Sequence, residues 1–511
     1  MKRRQFLSTA LAGGVASAML PAPTFGRAQS ADQAPSVRPN IVLIYVDDLG
    51  YKDLQSYGND YFETPNIDAL LSRGLRFTQA YSSSPLCAPS RIALLTGRHN
   101  VRAGCFEVVR GTWNEVRYFL NVERMKPEEI NVDWEEKVHF KTPPNRLNLP
   151  RGRKILPEYL KEIGYRTGFF GKWHVGPQKP SARGFDDQVT LGRFHLPGAH
   201  LDVRKGFTSK SDGYPDPSGT VGDYMTEVSL HFLDSAKESP FFLYMAHPLV
   251  HSPFEAEDAI IEKYRSKSTS RFHSNPTYAA MVESLDQSIG RLLDGLRQRN
   301  QLENTLIIFT SDNGAVTGPT TPTDDLDGYP LGMVNSHYPL RGGKVQLWEG
   351  GIRIPFGITF GDRIPSGTFD GVVSQLDILP TVLEVAGHPD YAGIRTEFDG
   401  VSLQTILEDP KTVWGERALF WHFPGYRGLT YKPKVEGREA GYDQRPESVV
   451  RRGNWKLFES LETGDVRLYD LQKDIGETTD IADTHPDMAK HLLNELHTWQ
   501  KETNAPMPLP K

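Results

Sequence analysis

Two acidic clusters each follow directly on an apolar run: Asp47-Asp48 after residues 41–46, and Asp312-Asn313-Gly314 after residues 306–310. Alone, paired acids at a strand end make a solvated turn, and Asp-Asn-Gly makes a plain one. Together they put three carboxylates and an amide oxygen at the carboxyl ends of two buried strands, where open α/β sheets bind ligands. Those are the hard oxygen donors that Ca2+ or Mg2+ takes. A third group is Cys87-Ala88-Pro89-Ser90-Arg91, followed by Leu94-Leu95-Thr96-Gly97-Arg98. Pro89 suits the first turn of a helix, which sets Cys87 at or just before a helix N-terminus, where free N–H groups and the dipole attract anions. By residue type alone Cys87 also reads as a buried structural thiol, or as one half of a bridge to Cys105 across a short loop.

The elements that must hold these groups show in the apolar pattern. Near-continuous apolar runs at residues 41–46, 241–246, 306–310 and 354–360 read as strands buried on both faces. Tyr278, Met281, Val282, Leu285, Ile289, Leu292, Leu293 and Leu296 form one apolar stripe at three-and-four spacing, and so predict a helix. Residues 155–163, 223–236 and 376–386 behave similarly, the last stopping at Gly387 as a helix C-cap would. The natural architecture is α/β, with a doubly wound and mostly parallel central sheet. Beyond residue 413 the texture changes to short strand-like pieces at 448–450, 455–458 and 466–469, with turns at Gly453 and Gly464, and then a terminal helix at 485–501. That predicts a smaller C-terminal antiparallel sheet packed with a helix, so the expected organisation is a main α/β domain at 36–410 and an α+β subdomain at 411–511. Residues 112–149, 202–221 and 317–338 lack periodicity and are candidate substrate walls.

Composition narrows the partners. The 511 residues are 24% charged and 38% hydrophobic, which excludes a polytopic membrane protein, a collagen and a mostly disordered chain. A net charge of -6 argues against bulk attraction to nucleic acid, so an anionic ligand must be held by a local cluster of cations. Two cysteines are too few for a disulfide scaffold or a four-cysteine zinc site. Lys2-Arg3-Arg4, an apolar run at 11–20 and the small residues Gly26 and Ala28 make residues 1–28 an export signal, and Arg3-Arg4-Gln5-Phe6-Leu7 resembles the twin-arginine type. Cleavage after Ala28 removes four cations and no acid and leaves -10. The run falls short of the roughly 20 residues of a membrane span, so the mature protein is expected to be periplasmic or secreted, with no transmembrane segment.

Residues 87–98, CAPSRIALLTGR, closely resemble the signature of the formylglycine-dependent sulfatases: Cys or Ser, any residue, Pro, any residue, Arg, then Thr-Gly. Further family segments occur in order. Pro39-Asn40-Ile41-Val42 leading to Asp47-Asp48 is similar to the opening strand and metal pair, and Thr64-Pro65-Asn66-Ile67-Asp68 to the next turn. Gly171-Lys172-Trp173-His174, His251-Ser252-Pro253, Asp312-Asn313-Gly314 and Gly343-Lys344 with Glu349-Gly350-Gly351 match the later motifs. Residues 450–457 and 468–471 resemble the small-sheet subdomain, so the resemblance covers essentially the whole mature chain.

The resemblance implies an alkaline-phosphatase-like fold and hydrolysis of sulfate esters. It implies that a formylglycine-generating enzyme oxidises Cys87 in the unfolded chain; one hydroxyl of the aldehyde hydrate then attacks sulfur and the other drives out sulfate, avoiding a slow serine sulfate ester. It implies Ca2+ held by Asp47, Asp48, Asp312 and Asn313, with position 87 and the substrate completing the shell. Arg91, Lys172, His174, His251 and Lys344 would supply the fixed donors that a sulfate transition state needs. Arg91 orients the hydrate, His251 and Lys344 protonate the leaving group, and His174 is the base of the second step. Trp113, Arg117, His195 and His337 are candidate substrate contacts, with Tyr118, Trp134, His139, His200, Tyr338, Trp421 and His422 behind them. These side chains suit sugar stacking and hydroxyl recognition, which makes a sulfated carbohydrate the expected substrate. Two other readings stand beside this one: a phosphonate or phosphate ester hydrolase of the same superfamily, and a noncatalytic sulfated-glycan binder in which Cys87 stays a thiol.

Overall fold

The computed structural model describes residues 38–108, 139–192, 198–268, 270, 273–317, 334–427 and 444–511, with two short strand pieces at 434–435 and 438–439. The proposed export signal and the candidates Trp113, Arg117, Tyr118, Trp134 and His195 lie outside the described residues. Nine strands build the main sheet: β1 Asn40–Val46, β2 Leu75–Tyr81, β3 Arg166–Lys172, β4 Asp187–Leu191, β5 Phe207–Lys210, β6 Phe241–His247, β7 Thr305–Ser311, β8 Phe356–Thr359 and β9 Gly367–Ser374. Their order is β9-β2-β8-β7-β1-β6-β3-β4-β5. Only β8 and β5 run against the rest. Strand β1 lies between β6 and β7, with Val46 opposite both His247 and Ser311, so three carboxyl ends finish level.

Alternate residues of β1 serve two cores. Val42, Ile44 and Val46 pack with helices α1 Pro65–Ser72, α4 Val221–Ser235 and α5 Pro276–Gln298. Ile41, Leu43 and Tyr45 pack with α2 Cys87–Thr96, α3 Leu156–Glu162 and α6 Ile378–Val385. Burial on both faces is why these strands are apolar throughout. In α5 the Asn275 side chain accepts from the Tyr278 N–H and Pro276 occupies the first turn, the two start signals of a helix.

A second sheet is antiparallel, in the order β10 Ala418–Phe423, β11 Glu447–Arg452, β12 Trp455–Ser460, β13 Val466–Asp470. One face, with Val450, Leu457 and Leu468, packs on α7 Pro486–Thr503 through Leu492, Leu496 and Trp499. The other face, with Val449, Phe458 and Tyr469, packs on Tyr81, Leu347 and Trp348 of the main body. Two expectations are corrected. The strand expected at 354–360 is only the four-residue β8, and residues 202–221, expected to be irregular, contain a helical turn at Val203–Gly206 and then β5. No helix among the described residues is long and apolar enough to cross a membrane.

Candidate functional site

The carboxyl ends of β1, β3, β6 and β7 meet the start of α2. Asp47 continues the ladder, its N–H donating to His247 O at 3.0 Å, while the Asp312 N–H donates to Val46 O at 3.0 Å. Asp48 turns the chain at φ 61°, a left-handed conformation that a short polar side chain tolerates better than most. Its N–H donates to Asp312 Oδ1 at 3.1 Å, and its Oδ1 accepts from Asn313 Nδ2 at 2.8 Å. Cys87 and Arg91 are four apart on α2 and so share a face; all ten residues of that helix are buried.

Three cations answer the three carboxylates. Arg91 donates to Asp312 Oδ2 from Nη2 at 2.7 Å and from Nε at 3.1 Å, lies 3.4 Å from Asp47 Oδ1, and gives its third hydrogen bond to Lys172 O at 2.7 Å. Its guanidinium lies 5.3 Å from the centre of the Tyr45 ring. Lys172 Nζ is 2.5 Å from Asp47 Oδ2 and Lys344 Nζ is 2.5 Å from Asp48 Oδ2. His251 Nε2 is 3.8 Å from Asp48 Oδ2, its Nδ1 is 2.6 Å from Ser252 O, and His200 Nε2 meets its backbone carbonyl at 2.8 Å. His174 Nε2 is 3.0 Å from Val108 O.

The field follows from burial and these charges. Burial pushes the Asp47 carboxyl up, but the charges of Lys172, Arg91 and Lys344 together hold it well below the usual carboxylate range. Asp312 is pushed well up by burial and by the neighbouring Asp47 charge, against the pull of Arg91. Burial opposes the charge on Lys344, and Asp48 overcomes it and raises the ammonium. Burial holds both His251 and His174 down at about 3, helped by Lys344 and Lys172 at His251 and by Lys172 and Arg91 at His174, so both rings are neutral. Their contacts then assign the tautomers: Nδ1–H of His251 donates to Ser252 O, and Nε2–H of His174 donates to Val108 O.

The donor set fits a hard cation. Donor atoms of Asp47, Cys87 and Asp312 lie within 4.8 Å of one another. Asp47 Oδ1 and Asn313 Oδ1 are buried acceptors with no hydrogen-bond donor, an arrangement that a native interior keeps for an ion or a ligand. The structure thus brings together Asp47, Asp48, Cys87, Arg91, Lys172, His174, His251, Asp312, Asn313 and Lys344. His337 is placed elsewhere: it is 2% exposed, packs so closely on Gly50 that a Cβ there would lie 2.0 Å from its ring, and faces Ala315 O at 3.3 Å. Trp421 donates to Ser82 O, and His422 lies between Ser448 and Pro506, so both belong to the packing of the C-terminal sheet. His139 and Tyr338 are exposed. Cys87 and Cys105 are not joined to each other, so the bridge to Cys105 is not made. Tyr45 beneath Arg91 was missed, because an aromatic in an apolar strand carries no signal beyond core packing.

Comparison with known proteins agrees with this geometry. A sulfatase family model matches residues 39–388, and a model of the N-sulphoglucosamine sulphohydrolase C-terminal region matches residues 343–502. A sulfatase of Formosa agariphila is 30% identical, over 96% of this chain and 93% of the relative. Human N-acetylgalactosamine-6-sulfatase is 30% identical over 79% of this chain and 71% of its own length. Among solved structures, Ps i-CgsB in complex with k-i-k-neocarrahexaose superposes with a TM-score of 0.69 at 25% identity, covering 93% of this chain and 95% of that one. With its motifs, its sheet and its pocket all in agreement with these matches, the chain belongs to the sulfatase family, sulfuric ester hydrolases of the alkaline-phosphatase-like superfamily.

Proposed function

We propose that this protein hydrolyses sulfate esters of sulfated carbohydrates, with a formylglycine made from Cys87 by a maturing enzyme and a Ca2+ ion held by Asp47, Asp48, Asp312 and Asn313. The observation that carries the reading is the convergence of Cys87, two donor-less buried oxygens and the cations Arg91, Lys172 and Lys344 at one sheet end. When bound, Ca2+ would polarise a sulfate oxygen, and the formylglycine hydrate would supply the nucleophile.

The chain's own residues account for the rest. Arg91, tied to Asp312 and to the Lys172 carbonyl, fixes the carboxylates relative to α2. Lys172 and Lys344 are preorganised donors, already desolvated, for the charge that builds on the transferring sulfate, and Lys344 with His251 also serves the leaving oxygen. His251 must gain a proton at Nε2 before it can give one to a leaving oxygen; an anionic sulfate beside it favours that gain. His174 keeps an unpartnered Nδ1 while Nε2–H is held by Val108 O, which suits it to accept a proton. Arg117, Trp113 and His195 are proposed substrate contacts from stretches outside the described residues. The sulfated-sugar assignment is supported by the carbohydrate bound to Ps i-CgsB and by the sugar named for the human relative. We also propose export through residues 1–28 to the periplasm or medium, and a division between catalytic domain and C-terminal subdomain near residue 410.

Two measurements on protein matured in its exporting host test this reading. The mass of the peptide containing position 87 should show an aldehyde in place of the thiol. Sulfate release from sulfated oligosaccharides should far exceed phosphate release from matched esters; an unmodified thiol, or faster phosphate release, would overturn the proposal.

A further inference from the structure

Five residues beyond Lys344 the chain makes a single helical turn, Glu349–Ile352, and Glu349 is fully buried. Its Oε1 lies 3.0 Å from Lys456 Nζ, its Oε2 accepts from the Tyr81 hydroxyl at 2.7 Å, and its backbone N–H donates to Glu477 Oε2 at 2.7 Å. Lys456 belongs to β12, is 0% exposed, and also lies 2.7 Å from Glu477 Oε1. A charged triad thus joins the C-terminal sheet to the segment that carries Lys344. Buried ion triads stabilise a fold little more than apolar packing of equal volume, and often less. A gain in stability therefore does not account for this one, whereas a fixed geometry does.

The segment it holds is tight and strained. A Cβ on Gly350 would sit 2.2 Å from Gly342 O, and one on Gly351 1.9 Å from Gln346 O, so the backbone from 342 to 351 is stacked on itself. Gly351 O accepts from the Gly314 N–H at 2.9 Å, directly after Asp312-Asn313. Lys344 N–H donates to Ala315 O at 2.8 Å, and Val345 N–H donates to Pro85 O at 2.9 Å, two residues before Cys87. Val345 has φ 85°. A β-branched residue there stores about 1–3 kcal/mol and stays only where its surroundings hold it. From the sheet side, Trp348 packs on Phe458 with ring centres 4.3 Å apart, and Arg341 donates to Glu477 O at 2.8 Å. The loop and the sheet also recur together, since one family model spans residues 343–502.

We propose that Lys456 and Glu477 are positioning residues for Lys344: through Glu349, the C-terminal sheet holds the strained loop that aims the Lys344 ammonium into the sulfate pocket. This rests on the reading of Lys344 as a group of that pocket. Neither residue touches substrate, and both act through Glu349.

The test compares wild type, Lys344→Ala, Lys456→Met and the double variant, all matured and saturated with Ca2+, on aryl sulfates whose leaving groups differ in acidity. Lys456→Met should lose about 10- to 100-fold in kcat, the scale set by a displacement near 1 Å. The loss should be greater for poorer leaving groups, with KM changed far less. The double variant should be no worse than Lys344→Ala within about threefold, because residues that act as a unit are not additive. Amide hydrogen exchange at residues 341–351 should quicken in Lys456→Met while α5 stays protected. Glu477→Gln, which keeps an acceptor for the Glu349 N–H, should show the same pattern more weakly and serves if Lys456→Met does not fold. Losses that multiply in the double variant, or a folded Lys456→Met at the wild-type rate, overturn the proposal. Wild type that carries formylglycine but releases no sulfate defeats the underlying reading instead, and this inference with it.

Discussion

Replacing Arg91 by Met removes a guanidinium whose side chain is 1% exposed and which lies against two carboxylates. The variant loses both hydrogen bonds to Asp312 Oδ2, the ion pair with Asp47 Oδ1 and the bond to the Lys172 carbonyl. Breaking a buried pair by deleting one partner costs about 3–5 kcal/mol, because the other charge is left uncompensated. Residues 39–511 form one compact unit by their contacts. At about 2.1 cal/mol/K per residue, a unit of roughly 470 residues has an unfolding entropy near 1 kcal/mol/K, so the expected fall in Tm is about 3–5 °C. The assay is thermal unfolding of both proteins in EDTA at neutral pH and one scan rate. Added Ca2+ should narrow the gap, since a divalent cation takes over part of the neutralisation of Asp47 and Asp312; at 100 times Kd it adds about 2.7 kcal/mol to the protein that binds it. A variant that melts within about 1 °C of wild type in EDTA would refute the view that Arg91 holds the carboxylates together.

Cys87→Ala should abolish sulfate release while costing only about 1 kcal/mol of stability, because a small apolar side chain still fills the space; turnover near the wild-type rate would remove position 87 from the chemistry. EDTA should suppress turnover of the wild type and excess Ca2+ restore it, and activity indifferent to chelation would count against the metal. Gly314→Ala would place a Cβ 1.9 Å from Gly350 O and push the Asp312-Asn313 turn away from the Lys344 loop. A fall of at least about 10-fold in kcat is expected, and an unchanged rate would show that the two turns move independently. His422 is held down at about 4 by burial, and its contacts suit the neutral ring, with Nε2–H donating to Pro506 O and Nδ1 accepting from the Ser448 hydroxyl. The unfolded ring titrates near 6.5, so the stability it contributes is complete above pH 6.5 and is lost as pH falls toward 4, by up to about 3 kcal/mol. The gap in unfolding free energy between wild type and His422→Gln should shrink across that window; a gap that does not change with pH would contradict the assignment.

The central strands were legible because burial on both faces makes them continuous apolar runs, as in β1, β6 and β7. Strand β3 was not, because it carries Gly168 and Gly171. At Gly171 a Cβ would lie 1.9 Å from Ala246 O, so close approach of the neighbouring strand erased the pattern that prediction reads. The pocket residues were found through motif order, and Pro89 already marked the helix start that carries Cys87. His337 misled because a histidine beside a tyrosine in a polar stretch looks accessible, and nothing local shows that Gly50 leaves a slot for its ring. Lys456 carried no signal either. A lysine between Trp455 and Leu457 reads as the outward face of an edge sheet, and only the docking of β12 on Trp348 turns that face inward.

The first strand among the described residues, β1, lies in the middle of its sheet, and this sets a schedule for folding. β1 cannot gain its partner β6 until about 200 further residues exist, nor β7 until residue 311 has been made. At ribosomal rates of about 5–20 residues per second, that is roughly 10–40 s during which a largely apolar strand has both edges unpaired, and longer before the second edge is covered. Such long-range parallel pairing is intrinsically slow, and open edges of this kind recruit other chains. Shielding of that strand over the interval is the expected requirement of the nascent protein. A chain stopped between residues 46 and 311 leaves β1 with an open edge, so truncation there is expected to give an association-prone fragment rather than a shortened enzyme.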